Sequence, residues 1–146
     1  MTIKRLDNVL IVVNDLEAPK AFFMALGMAV EGEMTVEGAW VDRVIGLEGS
    51  RADIVMLRTP DGRGGVELSK FHTPAAVRYG PEVVPSNALG IRRIMFAVED
   101  LDATLARVRA VGASLVGEVA EYEDVYRLCY VRGPEGIIVG LAQELG

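Results

Sequence analysis

Apolar and polar positions fall into the same pattern twice along the chain. Residues 8–13 read as an apolar strand, followed by an Asp-Leu opening, about a dozen helix-compatible residues and then Gly27. Residues 93–98 begin the pattern again and it closes at Gly112. Laying Asn8-Val-Leu-Ile-Val-Val-Asn-Asp-Leu-Glu-Ala on Arg93-Ile-Met-Phe-Ala-Val-Glu-Asp-Leu-Asp-Ala, at an offset of 85, pairs Val13 with Val98, Asp15 with Asp100, Leu16 with Leu101 and Gly27 with Gly112. An Asp or Asn side chain suits the first free N–H groups of a helix, so Asn14 or Asp15 caps the first helix and Asp100, rather than Glu99, the second. Gly27 and Gly112 stand where a helix ends in a left-handed residue.

The ends of the two copies match as well. Arg58-Thr-Pro-Asp-Gly corresponds to Arg132-Gly-Pro-Glu-Gly, a Pro-led turn between strands. The remaining strands are expected at 28–37, 52–58 and 65–71 in the first half, and at 114–121, 125–132 and 137–143 in the second. Each half therefore reads βαβββ. A single sheet with one bare apolar face is not stable alone, so the two halves are expected to pack together. The chain divides into a first module at 1–72, a connecting segment at 73–89 with Pro74, Pro81 and Pro85, and a second module at 90–146, expected to form one compact α+β domain.

With this repeat in view, four stretches resemble the vicinal oxygen chelate superfamily of glyoxalase I, bleomycin-resistance proteins, extradiol dioxygenases and methylmalonyl-CoA epimerase. They are Leu6-Asp-Asn-Val-Leu-Ile-Val-Val-Asn-Asp-Leu, Gly65-Val-Glu-Leu, Gly90-Ile-Arg-Arg-Ile-Met-Phe-Ala-Val-Glu-Asp-Leu-Asp and Tyr130-Val-Arg-Gly-Pro-Glu-Gly-Ile-Ile-Val-Gly-Leu. The resemblance implies two βαβββ modules in tandem whose curled mixed sheets enclose a shared cavity. It also implies four metal-ligand positions, which fall on Asn8, Glu67, Arg93 and Gly140. The family's usual choices there are His or Glu, Glu, His or Gln, and Glu. Only Glu67 keeps a strong ligand: Asn8 offers an amide oxygen, Gly140 no side chain and Arg93 a permanent cation. The resemblance therefore points to a lost metal site and no cofactor, with Arg93 paired to Glu67 in the metal's place. A divalent metal held weakly by Glu67, Asn8 and waters is the competing reading, and the Arg93 charge opposes it.

Composition narrows the chemistry further. One histidine and one cysteine in 146 residues exclude a three- or four-ligand zinc site, a disulfide framework and a CxxC motif within one chain. They also exclude the two-histidine iron site of an extradiol dioxygenase. A net charge of −6 argues against nucleic acid. The longest apolar stretch, 21–30, is too short for a membrane span. Lys4, Arg5 and Asp7 break the first apolar run, so no signal peptide is expected, and with one thiol the chain reads as cytoplasmic.

Strand alternation adds further cavity candidates. Met56 sits two residues before Arg58, as Tyr130 does before Arg132, and Met95 follows Arg93 on one face. Taken singly, Met56, Met95 and Phe96 fit a packed core better than a binding wall. Trp40 lies on a short helix-capable stretch that relatives use as a lid, and fits an edge plug equally well. Tyr122, Tyr126 and Arg127 surround a hairpin and are candidates for a far wall. His72 opens the connecting segment and reads as solvated or capping, and Cys129 as a buried, inert thiol. The leading functional reading is a protein that binds a small, largely apolar molecule between the modules, as bleomycin-resistance relatives do. The alternative is a glyoxalase- or epimerase-like lyase or isomerase, with Glu67 as base and Arg93 stabilising an oxyanion. A homodimer is expected from the resemblance alone.

Overall fold

The computed structural model describes residues 2–146. It divides into a first unit ending at Arg78 and a second spanning Tyr79–Gly146. The first carries β1 (Val9–Val12), α1 (Glu17–Ala25), β2 (Ala29–Glu37), α2 (Ala39–Ile45), β3 (Arg51–Arg58) and β4 (Gly65–Thr73). Its sheet runs β1-β4-β3-β2, with β1 parallel to β4 and the other pairs antiparallel. The second carries β5 (Arg93–Ala97), α3 (Leu101–Ala110), β6 (Ser114–Leu115), β7 (Ala120–Tyr122), β8 (Tyr126–Arg132) and β9 (Ile138–Glu144). Its sheet runs β5-β9-β8-β6, with β7 also on β8 and β5 parallel to β9. Each unit is thus an α+β module with an open mixed sheet.

Both helices that follow a first strand begin and end in the same way. Asp15 accepts from the N–H groups of Glu17 and Ala18, and Asp100 from that of Ala103. At the other end Met28 N–H reaches back to Phe23 and Ala113 N–H to Val108, while Gly27 and Gly112 take φ of +109° and +103°. These are paired Schellman closures, in which glycine carries the positive φ that a Cβ would oppose.

Alternation sets the two faces of each sheet. In the first, Ile11, Leu68 and Val55 lie side by side and are buried, as are Val66 and Leu57 two residues away. Phe22 and Phe23 of α1 are buried too and meet edge to face. In the second, Val139 pairs with Val131, and Leu141 with Cys129, all buried together with Leu101, Leu105 and Val108 of α3. The opposite rows form the more open faces described below, with Ile138 on one and Ile54 on the other still buried.

Two elements differ from expectation. The strand expected at 114–121 is broken, because residues 116–119 leave the ladder between β6 and β7. Val116 still donates to the Tyr130 carbonyl at 2.8 Å, and Gly117 has no side chain to hold a pleated surface. In the first module, β4 continues to Thr73, so His72 is a strand residue rather than the opening of the connecting segment.

The arginines before the two Pro turns act alike. Arg58 donates to the Asp7 carbonyl at 2.8 Å and to Glu31 at 2.9 Å. Arg132 donates to the carbonyls of Val84 at 2.6 Å and Gly136 at 3.0 Å. Each ties the end of an inner strand to the chain leading into its module's first strand.

Candidate functional site

On the open face of the second sheet, Met95 of β5, Gly140 of β9 and Tyr130 of β8 stand in one row. A Cβ at Gly140 would lie 2.5 Å from the Met95 sulfur and 3.3 Å from Tyr130 Cε1, so two side chains from the flanking strands close over the bare glycine. Arg93 lies one row away, opposite Ile138, and its guanidinium carbon sits 5.2 Å from the centre of the Tyr130 ring. That is cation–π distance, and it holds the guanidinium against the aromatic face. The result is a platform of one cation, one phenol ring and one thioether, with Ala97, Ala142 and Leu128 forming the next row.

The matching row of the first sheet is Leu10, Glu67, Met56 and Gly32. Glu67 therefore takes in the first register the place that Gly140 takes in the second, and Met56 the place of Tyr130. Glu67 is half-buried, and among the described residues of its own module its side chain makes no hydrogen bond or ion pair. Leu10 beside it is 48% exposed, an apolar side chain left open next to a carboxylate. Asn8 lies just ahead of β1, and its amide donates to Asp7 at 3.3 Å.

Trp40 stands on α2, 62% exposed, with Val44 one turn on also exposed. The helix is pinned by Asp42, which accepts from the N–H groups of Gly49 and Ser50 and from the Ser50 hydroxyl. These bonds, the Ser50 hydroxyl foremost, hold the Asp42 carboxyl below its ordinary range.

Arg127 does not join the platform. It alternates with Tyr126 and Leu128, projects to the α3 side and grips Asp102 through two bonds of 3.1 and 3.2 Å. Tyr122 and Tyr126 face each other across the β7–β8 hairpin, both exposed. Cys129 is buried, and burial pushes its thiol up.

One cluster escaped the reading of the sequence. His72 Nε2 lies 2.7 Å from Asp53, whose other oxygen accepts from the Thr35 hydroxyl at 2.7 Å. The Thr35 bond first, and His72 second, hold the Asp53 carboxyl below its ordinary range. Only the pairing of β2, β3 and β4 brings these three together, and no local motif marks them.

At the four implied metal positions the donor chemistry differs between the modules. In the second, Arg93 offers only N–H donors and position 140 has its side-chain space filled by Met95 and Tyr130. In the first, Glu67 is the one strong ligand. These residues do not fit the family's metal. Among the described residues, no three His, Cys, Asp or Glu side chains gather as a metal group.

The sequence from 5 to 141 matches the family model of the Glyoxalase/Bleomycin resistance protein/Dioxygenase superfamily. The chain belongs to this superfamily. A crystal structure of a glyoxalase family protein from Bacillus cereus is 49% identical, with a TM-score of 0.94 over all of this chain and 97% of that one. More distant structures share the fold. TnmS3, an antibiotic binding protein from Streptomyces sp., is 20% identical with a TM-score of 0.60, covering 99% of this chain and 98% of that one. A glyoxalase I mutant from Zea mays is 18% identical with a TM-score of 0.65, covering 94% of this chain and 45% of that one. Among curated proteins none matches. No helix of the described superfamily chain is long and apolar enough to cross a membrane.

Proposed function

We propose that this superfamily member binds a small, largely apolar organic molecule against the open sheet faces of its modules, without the family's metal. The observation that carries the reading is the closed row over Gly140: Met95 and Tyr130 occupy the space of a ligand side chain, and Arg93 stacks on Tyr130 beside it. A pocket wall of thioether and aromatic surface with a single charged group suits such a ligand. Met56, Leu10, Asn8 and the exposed Trp40 supply comparable surface in the first module, with the Tyr122–Tyr126 pair at the far end of the second. A binding role has a precedent in the fold, since TnmS3 is an antibiotic binding protein. The proposal carries with it a cytoplasmic homodimer.

The test is a thermal-shift screen of apolar organic acids, amides and 2-oxo thioesters, run with and without EDTA. Ligands whose stabilisation survives EDTA, and falls when Met95 or Tyr130 is replaced by alanine, support the reading. Stabilisation that EDTA abolishes would overturn it.

A second reading rests on Glu67, a half-buried carboxylate with no partner in its own module. Such a group can act as a base, as in a glyoxalase- or epimerase-like lyase or isomerase. Deuterium exchange next to the carbonyl of a 2-oxo thioester, lost in Glu67→Gln, would favour it over simple binding.

A further inference from the structure

The Arg93 platform specifies more than an apolar ligand. Arg58, Arg127 and Arg132 each spend their N–H groups on named oxygen atoms. Arg93 differs: its guanidinium lies over the Tyr130 ring, and among the described residues of its module no side-chain hydrogen bond or ion pair engages it. The guanidinium carbon lies over the Tyr130 ring at 5.2 Å from its centre, and a guanidinium with N–H groups to spare can meet an oxygen pair edge-on. The stack also fixes the side chain, so less rotamer freedom is lost when a ligand arrives.

Within the rows of its own sheet no acid neutralises this cation. The open-face rows around it are Arg93-Ile138-Arg132, Met95-Gly140-Tyr130 and Ala97-Ala142-Leu128, with no acid among them. The next acid on that alternation is Glu144, six residues beyond Ile138 along β9. At about 3.4 Å per residue this is roughly 20 Å away, well past the Debye length at physiological salt. The chain as a whole carries a net charge of −6, so a cation facing an open apolar row is a local exception.

We infer that the ligand carries a single carboxylate, received edge-on by Arg93, with its apolar body lying over Met95 and along Ala97 and Leu128. This deepens the proposed binding role and rests on it. A monoanionic, planar carboxylate matches the Arg93 guanidinium in charge and shape.

The probes are 2-naphthoate and 4-phenylbutyrate, each beside its neutral carboxamide, titrated by calorimetry in EDTA at physiological salt. For wild type the acids should bind about tenfold or more tightly than the amides, the effect of a charge-assisted bond pair. Arg93→Gln should bring acid and amide within about threefold, chiefly by weakening the acid, and Arg93→Lys should restore part of the gap. Tyr130→Leu should weaken both and narrow the gap, because it removes the stack that aims the guanidinium. Arg93 is exposed, and a melting curve for each variant confirms that it folds. If amides bind wild type as well as acids, or the preference survives in Arg93→Gln, the carboxylate assignment falls while the binding role stands. If neither acids nor amides bind wild type, both fall.

Discussion

The row over Gly140 makes a quantitative claim that does not depend on any ligand. A Cβ placed there would stand 2.5 Å from the Met95 sulfur, where ordinary contacts begin at 3.4 Å, and 3.3 Å from Tyr130 Cε1. In Gly140→Ala the thioether must therefore retreat by about 1 Å or swing outward. Met95 is already 40% exposed, so only the remaining part of its burial is at stake. Full burial of a Met contributes about 1.5–3 kcal/mol, which puts the loss near 1–2 kcal/mol. Loosening the Arg93–Tyr130 stack adds about 0.5 kcal/mol, and the better strand propensity of alanine returns about 0.5–1 kcal/mol. The net cost of Gly140→Ala is thus about 1 kcal/mol, or roughly 2–4 °C in melting temperature. Met95→Ala removes the obstructing sulfur, so Gly140→Ala made in that background should cost almost nothing or stabilise. Urea denaturation of the wild type, both single variants and the double variant measures the coupling, expected to be about 1 kcal/mol. Costs that add to within about 0.3 kcal/mol would refute the closed row.

Three further outcomes follow from the same geometry. Arg58→Lys and Arg132→Lys should each lower stability by about 1–2 kcal/mol in urea melts, because lysine cannot span the two acceptors that each guanidinium holds. Asp42 and Asp53 have carboxyls held below the ordinary value of 3.8, so the stability they contribute is fully present above that pH and is lost as pH falls through their lower folded values. Asp42→Asn should therefore flatten the acid limb of stability against pH below about 4, measured by denaturation in a pH series, and an unchanged limb would contradict the assigned bonds. Cys129 is 3% exposed with its thiol pushed up by burial, so a thiol reagent should modify it slowly in the native protein and fully in urea.

How far the sequence could be read depended on how local each signal is. Helix starts and stops were legible because Asp15, Asp100, Gly27 and Gly112 act within a few residues of themselves. The repeat carried the register too: aligning the halves pairs Met56 with Tyr130, and the ladders place them in the same row beside Glu67 and Gly140. What alternation alone could not supply was contact across three strands. The Arg93–Tyr130 stack depends on the missing side chain at Gly140, and the His72–Asp53–Thr35 cluster on the registers of β2, β3 and β4. Arg127 was grouped with Tyr122 and Tyr126 as a candidate for the far wall, but it projects to the α3 side, and its Asp102 partner comes from a helix remote in sequence. The break in the strand expected at 114–121 turns on one glycine, whose effect on a ladder depends on neighbours that a single sequence does not show.

The central proposal is that Arg93 and the filled space over Gly140 stand in place of the superfamily's metal, as an organic cation. It is tested most directly by titrating the wild-type protein with zinc and nickel ions by calorimetry, with Glu67→Gln as the control for the one strong ligand that remains. The account predicts no one-to-one site of micromolar affinity and no difference between the two proteins. A stoichiometric micromolar site in the wild type that disappears in Glu67→Gln would contradict it.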